Sequence, residues 1–193
     1  MPPKAKFTKE EIVAAALRVV ESEGIEALTA RTLASELGSS PRPIFTVFDG
    51  MDDVVEEVNK RANVIYGDYV KNGLEERLAF RGVGLAYIRF ARERPRLFRL
   101  LFMQERKERP NVESVLRGIE EHYEQIMASI VDEYHINTEK AEELYLNLWI
   151  FSHGIAVMTV TEVCKFDEEQ ISHMLTQVFK ALLIKIKTEN VNA

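Results

Sequence analysis

The segment from Leu28 to Phe48, LTARTLASELGSSPRPIFTVF, restricts the possible folds of this chain more than any other stretch. Its first apolar residues recur at helical spacing behind Thr29, a suitable N-cap residue. Gly38 suits the positive φ that ends a helix. Pro41 suits the first turn of a second helix, with a serine of the preceding Ser39-Ser40 pair as its cap. The pattern therefore predicts two short helices joined by a tight turn.

Two such helices have more than one possible role. A helix, a tight turn and a second helix make up the helix-turn-helix motif, which reads the major groove of DNA. The same pattern also fits an ordinary corner between two helices of an all-helical protein. These residues alone leave both interpretations open.

The remainder of the sequence is also helical in pattern. Thr8 and Glu11 have the spacing of a capping box ahead of a first helix, which Gly24 ends. Asn72-Gly73 and Pro95 are predicted helix breaks. Further helices are expected over about 51–69, 75–93, 112–134, 139–163 and 168–187, with a short apolar segment at 97–103 and a polar loop at 104–111. We predict an all-α fold of about nine helices, with a three-helix head over residues 1–50 and a larger helical domain over residues 51–193.

The first 48 residues and the rest of the sequence differ in net charge. The net charge is −6, but residues 1–48 carry six basic and six acidic side chains, so the deficit lies in the rest of the chain. Lys4, Lys6 and Lys9 concentrate positive charge at the N-terminus, where an arm can meet phosphates. Cys164 is the single cysteine, which excludes an intrachain disulfide.

Targeting and catalytic patterns are not found in the sequence. The first residues lack the apolar core of a secretory signal peptide, and no apolar run of about 18 residues predicts a membrane span. We therefore expect a cytoplasmic protein. No Gly-rich phosphate loop, nucleophile–base pattern or metal-ligand spacing is present, so we expect neither an enzyme nor a cofactor.

The last two predicted helices, 139–163 and 168–187, are unusually apolar. Residues 144–158 are apolar on nearly every side of a helix. A helix of this kind must be covered by its own domain or by a partner. We expect a homodimer through these two helices, and complete burial within one chain is the alternative.

The head resembles the DNA-binding head of TetR-family (tetracycline-repressor-like) transcription regulators. The resemblance rests on Gly24, Leu28-Thr29, Leu37-Gly38, Ser40-Pro41, Phe45 and Phe48. Trp149, His153 and Gly154 resemble the Trp…His-Gly element of some members' effector domains. The resemblance implies a DNA-binding transcriptional regulator, expected to be a ligand-responsive repressor that binds a palindromic double-stranded DNA operator as a homodimer.

The resemblance also assigns roles to residues of the head. Arg42 is the candidate for two hydrogen bonds to guanine, and Thr46 for a base edge or a thymine methyl group. Four further residues are expected to position the DNA backbone: Thr29, Arg31, Ser40 and Phe45. The predicted DNA-binding set is Thr29, Arg31, Ser39, Ser40, Pro41, Arg42, Phe45 and Thr46. Phe45 also fits a core position, and Ile44 and Phe48 are interpreted as core.

Two departures from the family pattern support an alternative. Many members carry a lysine where this chain has Met51, and Asp49, Asp52 and Asp53 surround that position. Carboxylates near phosphates oppose binding, although they also favour a helix N-terminus. The alternative is a TetR-like helical protein-interaction module or coregulator with little DNA affinity. Pro43, in addition, forces the second helix to be short or to begin late.

The larger domain is expected to hold a small-molecule effector. The predicted pocket residues are Tyr87, Phe98, Phe102, Met103, Tyr123, Trp149 and His153, each of which also fits a core position. Residues 77–109 contain ten basic and three acidic side chains. This basic stretch is either a solvated face paired with the acidic residues of 113–143, or a contact for an anionic effector or a membrane surface.

Overall fold

The structure, a computed structural model, describes residues 6–105, 110–112 and 114–189. Within those ranges it contains nine α-helices, two 3₁₀ helices and no β-strand, as the sequence predicts. The α-helices are α1 (Lys9–Glu23), α2 (Ala30–Glu36), α3 (Met51–Leu74), α4 (Ala79–Glu93), α5 (Pro95–Phe102), α6 (Val115–Ile119), α7 (Tyr123–Tyr134), α8 (Thr138–Val160) and α9 (Glu168–Glu189). The 3₁₀ helices are Ile25–Ala27 and Ile44–Thr46. Among the described residues, no helix is both long enough and apolar enough to cross a bilayer.

The chain folds as two compact units. The head unit contains the described residues up to Ile65 together with Arg94–Glu105, and so includes α1, α2, the first part of α3, and α5. The body unit contains Tyr66–Glu93 and the described residues from Pro110 onward. A functional domain boundary at residue 50 stays a prediction.

Local capping signals define the helices of the head unit. Thr8 and Glu11 form the predicted capping box at the start of α1. Gly24, with φ of 96°, ends that helix as predicted. The apolar face of α1 is buried with residues that follow it in the chain: Ile12, Ala16, Leu33, Ile44 and Phe48 are all 6% exposed or less. Burial of Ile44 and Phe48 fixes the segment after the Gly38 turn in the core of the head unit.

Helix α3 continues through the predicted break at Asn72-Gly73 and ends at Leu74. Gly73 lies where α3 meets α4, since a Cβ atom added to it would come within 2.8 Å of the backbone of Gly82. The glycine therefore allows close approach of two helices and does not end one. The prediction was wrong because a glycine in a helix has this second use.

The single helix predicted over 112–134 is divided into α6 and α7. The backbone becomes extended at Glu120, with φ of −113° and ψ of 107°. This change turns the Glu120 carboxylate to the hydroxyl of Tyr66, at 2.7 Å. A tertiary hydrogen bond, which the local pattern does not contain, is formed at the break.

In the body unit, α8 packs against α4, α7 and α9. One buried cluster joins Ile88 of α4, Ile155 of α8, and Ile171 and Leu175 of α9. Rings of Phe80, Tyr134 and Phe179 lie near one another, with centroids 4.9 to 6.5 Å apart. These layers form the walls of a cavity described below.

Candidate functional site

The first candidate site is the segment that follows α2 in the head unit. Thr29 caps α2 and accepts a hydrogen bond from the backbone N–H of Thr32, as its N-cap prediction requires. Gly38 takes the predicted positive φ, 59°, and the N–H of Ser39 bonds to the carbonyl of Ala34 at 2.9 Å. The turn is therefore closed by a glycine in the left-handed region.

The second helix of the motif is a single 3₁₀ turn, Ile44–Thr46. Pro43 shortens it as predicted, because its ring disfavours helical backbone at Arg42 and it has no N–H to donate. The expected serine cap was wrong, since Pro43 occupies the N-cap position and no side chain bonds there. Ser39 instead accepts a hydrogen bond from Nζ of Lys6 at 3.0 Å.

This short helix has a buried side and an exposed side. Ile44 is fully buried and Phe48 is 6% exposed, which agrees with their predicted core role. Arg42 and Thr46 are exposed, and Phe45 is 46% exposed, so the core alternative for Phe45 does not hold. Four other residues predicted to contact DNA are also exposed: Thr29, Arg31, Ser40 and Pro41. Ser39 is half-buried.

Two of the residues predicted to contact DNA are exposed arginines of the head unit. Within the described residues, neither Arg31 nor Arg42 forms a hydrogen bond or an ion pair. The lysines of the predicted N-terminal arm are placed differently, since Lys6 bonds to Ser39 and Lys9 pairs with Glu57 at 3.1 Å. Lys4 lies outside the described residues. Arg31 and Arg42 are therefore available to an external anion.

Among the three aspartates at the start of α3, only Asp53 forms a side-chain hydrogen bond within the described residues. Oδ2 of Asp53 accepts a hydrogen bond from the backbone N–H of Asp49 at 3.0 Å. Asp52 and Asp53 lie in the first turn of α3, at the positive end of its dipole. Hydrogen bonds from Lys60 and then Lys9 lower the pKa of Glu57.

The second candidate site is a cavity of about 260 Å³ within the body unit. Aromatic rings from α3, α4, α7, α8 and α9 line it together with aliphatic side chains. Most of these rings were not predicted from the sequence, because aromatic residues at helical spacing have the same pattern whether they line a cavity or fill a core. The rings that were not predicted are those of Tyr66, Phe80, Tyr134, Tyr145 and Phe179.

The cavity does not bring together the seven residues predicted for an effector pocket. Tyr87 and Trp149 line it. Phe98, Phe102 and Met103 belong to the head unit, where Phe98 is fully buried. The two others, Tyr123 and His153, lie in the body unit outside the cavity lining. The Tyr123 hydroxyl donates to Glu142 at 2.9 Å, and Nδ1 of His153 lies 2.8 Å from the Tyr87 hydroxyl.

The hydroxyl groups around the cavity differ in their hydrogen bonding. Tyr66 bonds to the buried Glu120 and Tyr87 to His153. Burial raises the pKa of the Tyr145 phenol well above its ordinary value, so this group stays protonated. Within the described residues, the hydroxyl groups of Tyr145 and Ser152 form no hydrogen bond. Tyr145 and Ser152 are therefore two polar groups of the lining that are free to bond to a bound molecule.

The basic stretch is divided between the two units and is partly paired. Arg92 lies 2.7 Å from Glu168 in the body unit. In the head unit, Arg94 lies 2.5 Å from Glu21, and Arg96 donates to the backbone carbonyl of that residue at 3.0 Å. These partners lie outside the acidic residues of 113–143, so these contacts differ from the predicted pairing. Arg106, Lys107 and Arg109 lie outside the described residues.

Comparison with known proteins identifies the family. Residues 12–58 match the family described as bacterial regulatory proteins, tetR family. Residues 80–182 match the tetracyclin repressor-like C-terminal domain, and this match alone covers more than half of the chain. A search of curated proteins found no match. The chain thus belongs to the TetR family, and it is a DNA-binding transcriptional regulator.

Proposed function

We propose that this regulator is a ligand-responsive repressor that binds a near-palindromic operator as a homodimer. The observation that carries the proposal is the two-sided segment 41–48. Buried Ile44 and Phe48 fix the segment to the head, while Arg42, Phe45 and Thr46 face solvent. A short helix held by one side and exposed on the other suits insertion into the major groove. A free guanidinium at Arg42 suits bidentate contact with guanine.

An exposed stripe on α8 supports the homodimer. Asn147, Ile150, Gly154 and Met158 share one face of the helix at spacings of three and four residues, and all four are exposed. Ile150 is 49% exposed. A Cβ added to Gly154 would meet no atom within 4 Å, so this face leaves room for another helix.

Helix α9 presents a matching stripe. Gln177, Ala181 and Ile184 are exposed at helical spacing, and Ile184 is 64% exposed. Covering both stripes with a second copy produces a symmetric contact of four helices. Two heads held by such a contact read two half-sites in opposite orientations, which is why we propose a palindromic operator.

The DNA part of the proposal is tested with sequences selected from random DNA by the full-length protein. We expect Arg42→Ala to weaken binding to the selected site by roughly 5- to 150-fold, the range for one bidentate base contact. The matched control is Arg61→Ala, which removes the same charge from another exposed position of the head unit. Equal losses in the two variants, or no loss at Arg42, would contradict base reading by Arg42.

The dimer is tested by sedimentation equilibrium. Ile150→Glu with Ile184→Glu places charges on both stripes, and we expect this variant to be monomeric. Val64→Glu is the matched control, since Val64 is also 49% exposed but lies on α3 in the head unit. A wild-type protein that sediments as a monomer at micromolar concentration would contradict the proposal.

A second candidate function is a protein-interaction module with little DNA affinity. The acidic start of α3 favours it, because Asp49, Asp52 and Asp53 are all exposed. The two functions differ in salt dependence, since phosphate contacts release counterions. Affinity for promoter DNA that falls steeply with salt concentration supports the repressor, whereas the absence of a DNA complex at low salt supports the interaction module.

A further inference from the structure

The body cavity has an asymmetric charge distribution. Its wall is almost entirely apolar, with rings from Phe80, Trp149 and Phe179. Two cationic residues, Arg81 and Lys180, also line it, and both are exposed. Among the described residues that line the cavity, none is an aspartate or a glutamate. This distribution is unlike that of the whole chain, which has a net charge of −6.

The two cations lie along one polar edge. Arg81 donates a hydrogen bond to Oγ of Ser172 at 2.8 Å. Ser172, Thr176 and Lys180 follow one another at four-residue spacing on α9, so they share a face of that helix, and all three line the cavity. Within the described residues, neither Arg81 nor Lys180 forms an ion pair with a carboxylate. The Thr176 hydroxyl donates to the backbone carbonyl of Ser172 at 2.7 Å, so both hydroxyl groups of this edge already take part in hydrogen bonds. The edge therefore offers two positive charges that have no carboxylate partner among the described residues.

The interior accepts an apolar body of limited size. A cavity of about 150 Å³ in another protein holds benzene, so about 260 Å³ here suits a ring with a short chain. Gly84 of α4 lies on the wall, and a Cβ added there would meet only Oγ of Ser152, at 4.0 Å. The space beside Gly84 is open.

We infer that the effector of the body cavity is a small amphipathic carboxylate, whose apolar body lies among the rings and whose carboxylate meets Arg81 and Lys180. This inference rests on the proposed ligand response for its effect on DNA, but the binding itself does not depend on it. Placing a carboxylate at this edge forms charge-assisted hydrogen bonds, while a neutral analogue of the same shape gains only the apolar contacts.

The test compares two probes of equal size by calorimetric titration of the full-length protein. The probes are 4-phenylbutyrate and its neutral amide, 4-phenylbutyramide. We expect the carboxylate to bind about tenfold more tightly than the amide, as the charge-assisted hydrogen bonds require. Equal affinity of the two probes, tighter binding of the amide, or no binding of either would overturn the inference.

Variants locate the binding. Arg81→Gln with Lys180→Gln is expected to remove the preference for the carboxylate and to leave amide binding unchanged. Arg77→Gln with Lys187→Gln changes the same charges at exposed positions of the body unit that do not line the cavity, and it is expected to keep the preference. Gly84→Leu places a side chain in the open space and is expected to weaken binding of both probes, and its melting temperature is measured to show that the variant is folded. A preference that survives in the Arg81/Lys180 variant would overturn the inference.

Operator binding separates this inference from the proposed function. If the carboxylate binds with the expected preference but does not release the operator, the ligand class stands and the ligand response fails. If the protein binds no operator at all, the calorimetric comparison still decides the ligand class. A repressor that releases DNA with the amide as readily as with the carboxylate would overturn the inference and leave the ligand response standing.

Discussion

Tyr66 donates a hydrogen bond of 2.7 Å to Oε2 of Glu120, and both side chains are buried. Oε1 of the same carboxylate accepts the backbone N–H of His122 at 3.2 Å, and Nδ1 of His122 lies 3.7 Å away. Within the described residues this Nδ1 is buried without a hydrogen-bond partner. Desolvation outweighs these favourable contacts and raises the pKa of Glu120. The stability of the body unit therefore depends on proton uptake at this position.

The sign of that dependence is predictable. The pKa of Glu120 is raised above its ordinary value of 4.5, so the folded state binds the proton more tightly than the unfolded state. The contribution of the Glu120 carboxyl group to the stability of the folded protein is complete below pH 4.5, and it is lost as the pH rises through the pKa of the folded state. We expect the melting temperature of Glu120→Gln, relative to wild type, to increase between about pH 4.5 and pH 7, measured by circular dichroism.

A Glu120→Gln difference that is constant with pH would show that the carboxyl does not titrate differently in the folded protein.

His153 is predicted to give the protein's stability the opposite pH dependence to that of Glu120. Burial lowers its pKa below 6.5, and its Nδ1 lies 2.8 Å from the Tyr87 hydroxyl. Its contribution to stability is therefore complete above pH 6.5 and is lost as the pH falls through the lowered folded pKa. We expect His153→Gln, which keeps an acceptor for Tyr87, to lose less stability than wild type between about pH 7 and pH 5 in denaturant titrations. An NMR midpoint for His153 above 6.5 would contradict this expectation.

The approach of α3 and α4 predicts a severe effect of a single methyl group. Gly73→Ala places Cβ within 2.8 Å of the Gly82 backbone. Because both helices must move apart, we expect a loss of about 1–3 kcal/mol in the free energy of unfolding, measured by urea titration. Gly118→Ala is the matched control, since nothing lies within 4 Å of its added Cβ, and we expect no loss. A neutral Gly73→Ala variant would contradict the packing described for this pair.

Substitution of Gly38 is expected to cause a smaller loss of stability than Gly73→Ala, and for a different reason. No atom lies within 4 Å of a Cβ added at Gly38, but its φ is 59°. The cost of Gly38→Ala is therefore conformational, and we expect a loss of about 1–2 kcal/mol in the free energy of unfolding. Gly38→Asn is expected to lose less, because asparagine adopts this conformation more readily. Equal losses from both substitutions in urea titrations would point to another cause.

Much of the head could be predicted because its signals are local. The capping box of Thr8 and Glu11, the N-cap at Thr29 and the positive φ at Gly38 depend on residues within a few positions of each other. The buried pair Ile44 and Phe48 follows from the same short-range pattern. The exposed face of the proposed reading segment was therefore expected from the sequence.

Several features of the body unit could not be predicted in this way, because they depend on contacts between residues that are far apart in the sequence. Tyr66 and Glu120 are 54 residues apart, and no local pattern distinguishes this buried carboxylate from the exposed ones around it. The same holds for Tyr145 in the cavity wall and Phe98 in the head unit, because helical spacing shows only that an aromatic ring faces inward. Gly73 could be identified as a helix break or as a contact only once its neighbour was known. Short-range patterns in the sequence determined most of the helices, the caps at Thr8 and Thr29 and the family resemblance, because these depend on residues a few positions apart. The end of α3, the break between α6 and α7, the cavity, its cationic edge and the buried proton site were decided by which groups the tertiary packing brought together.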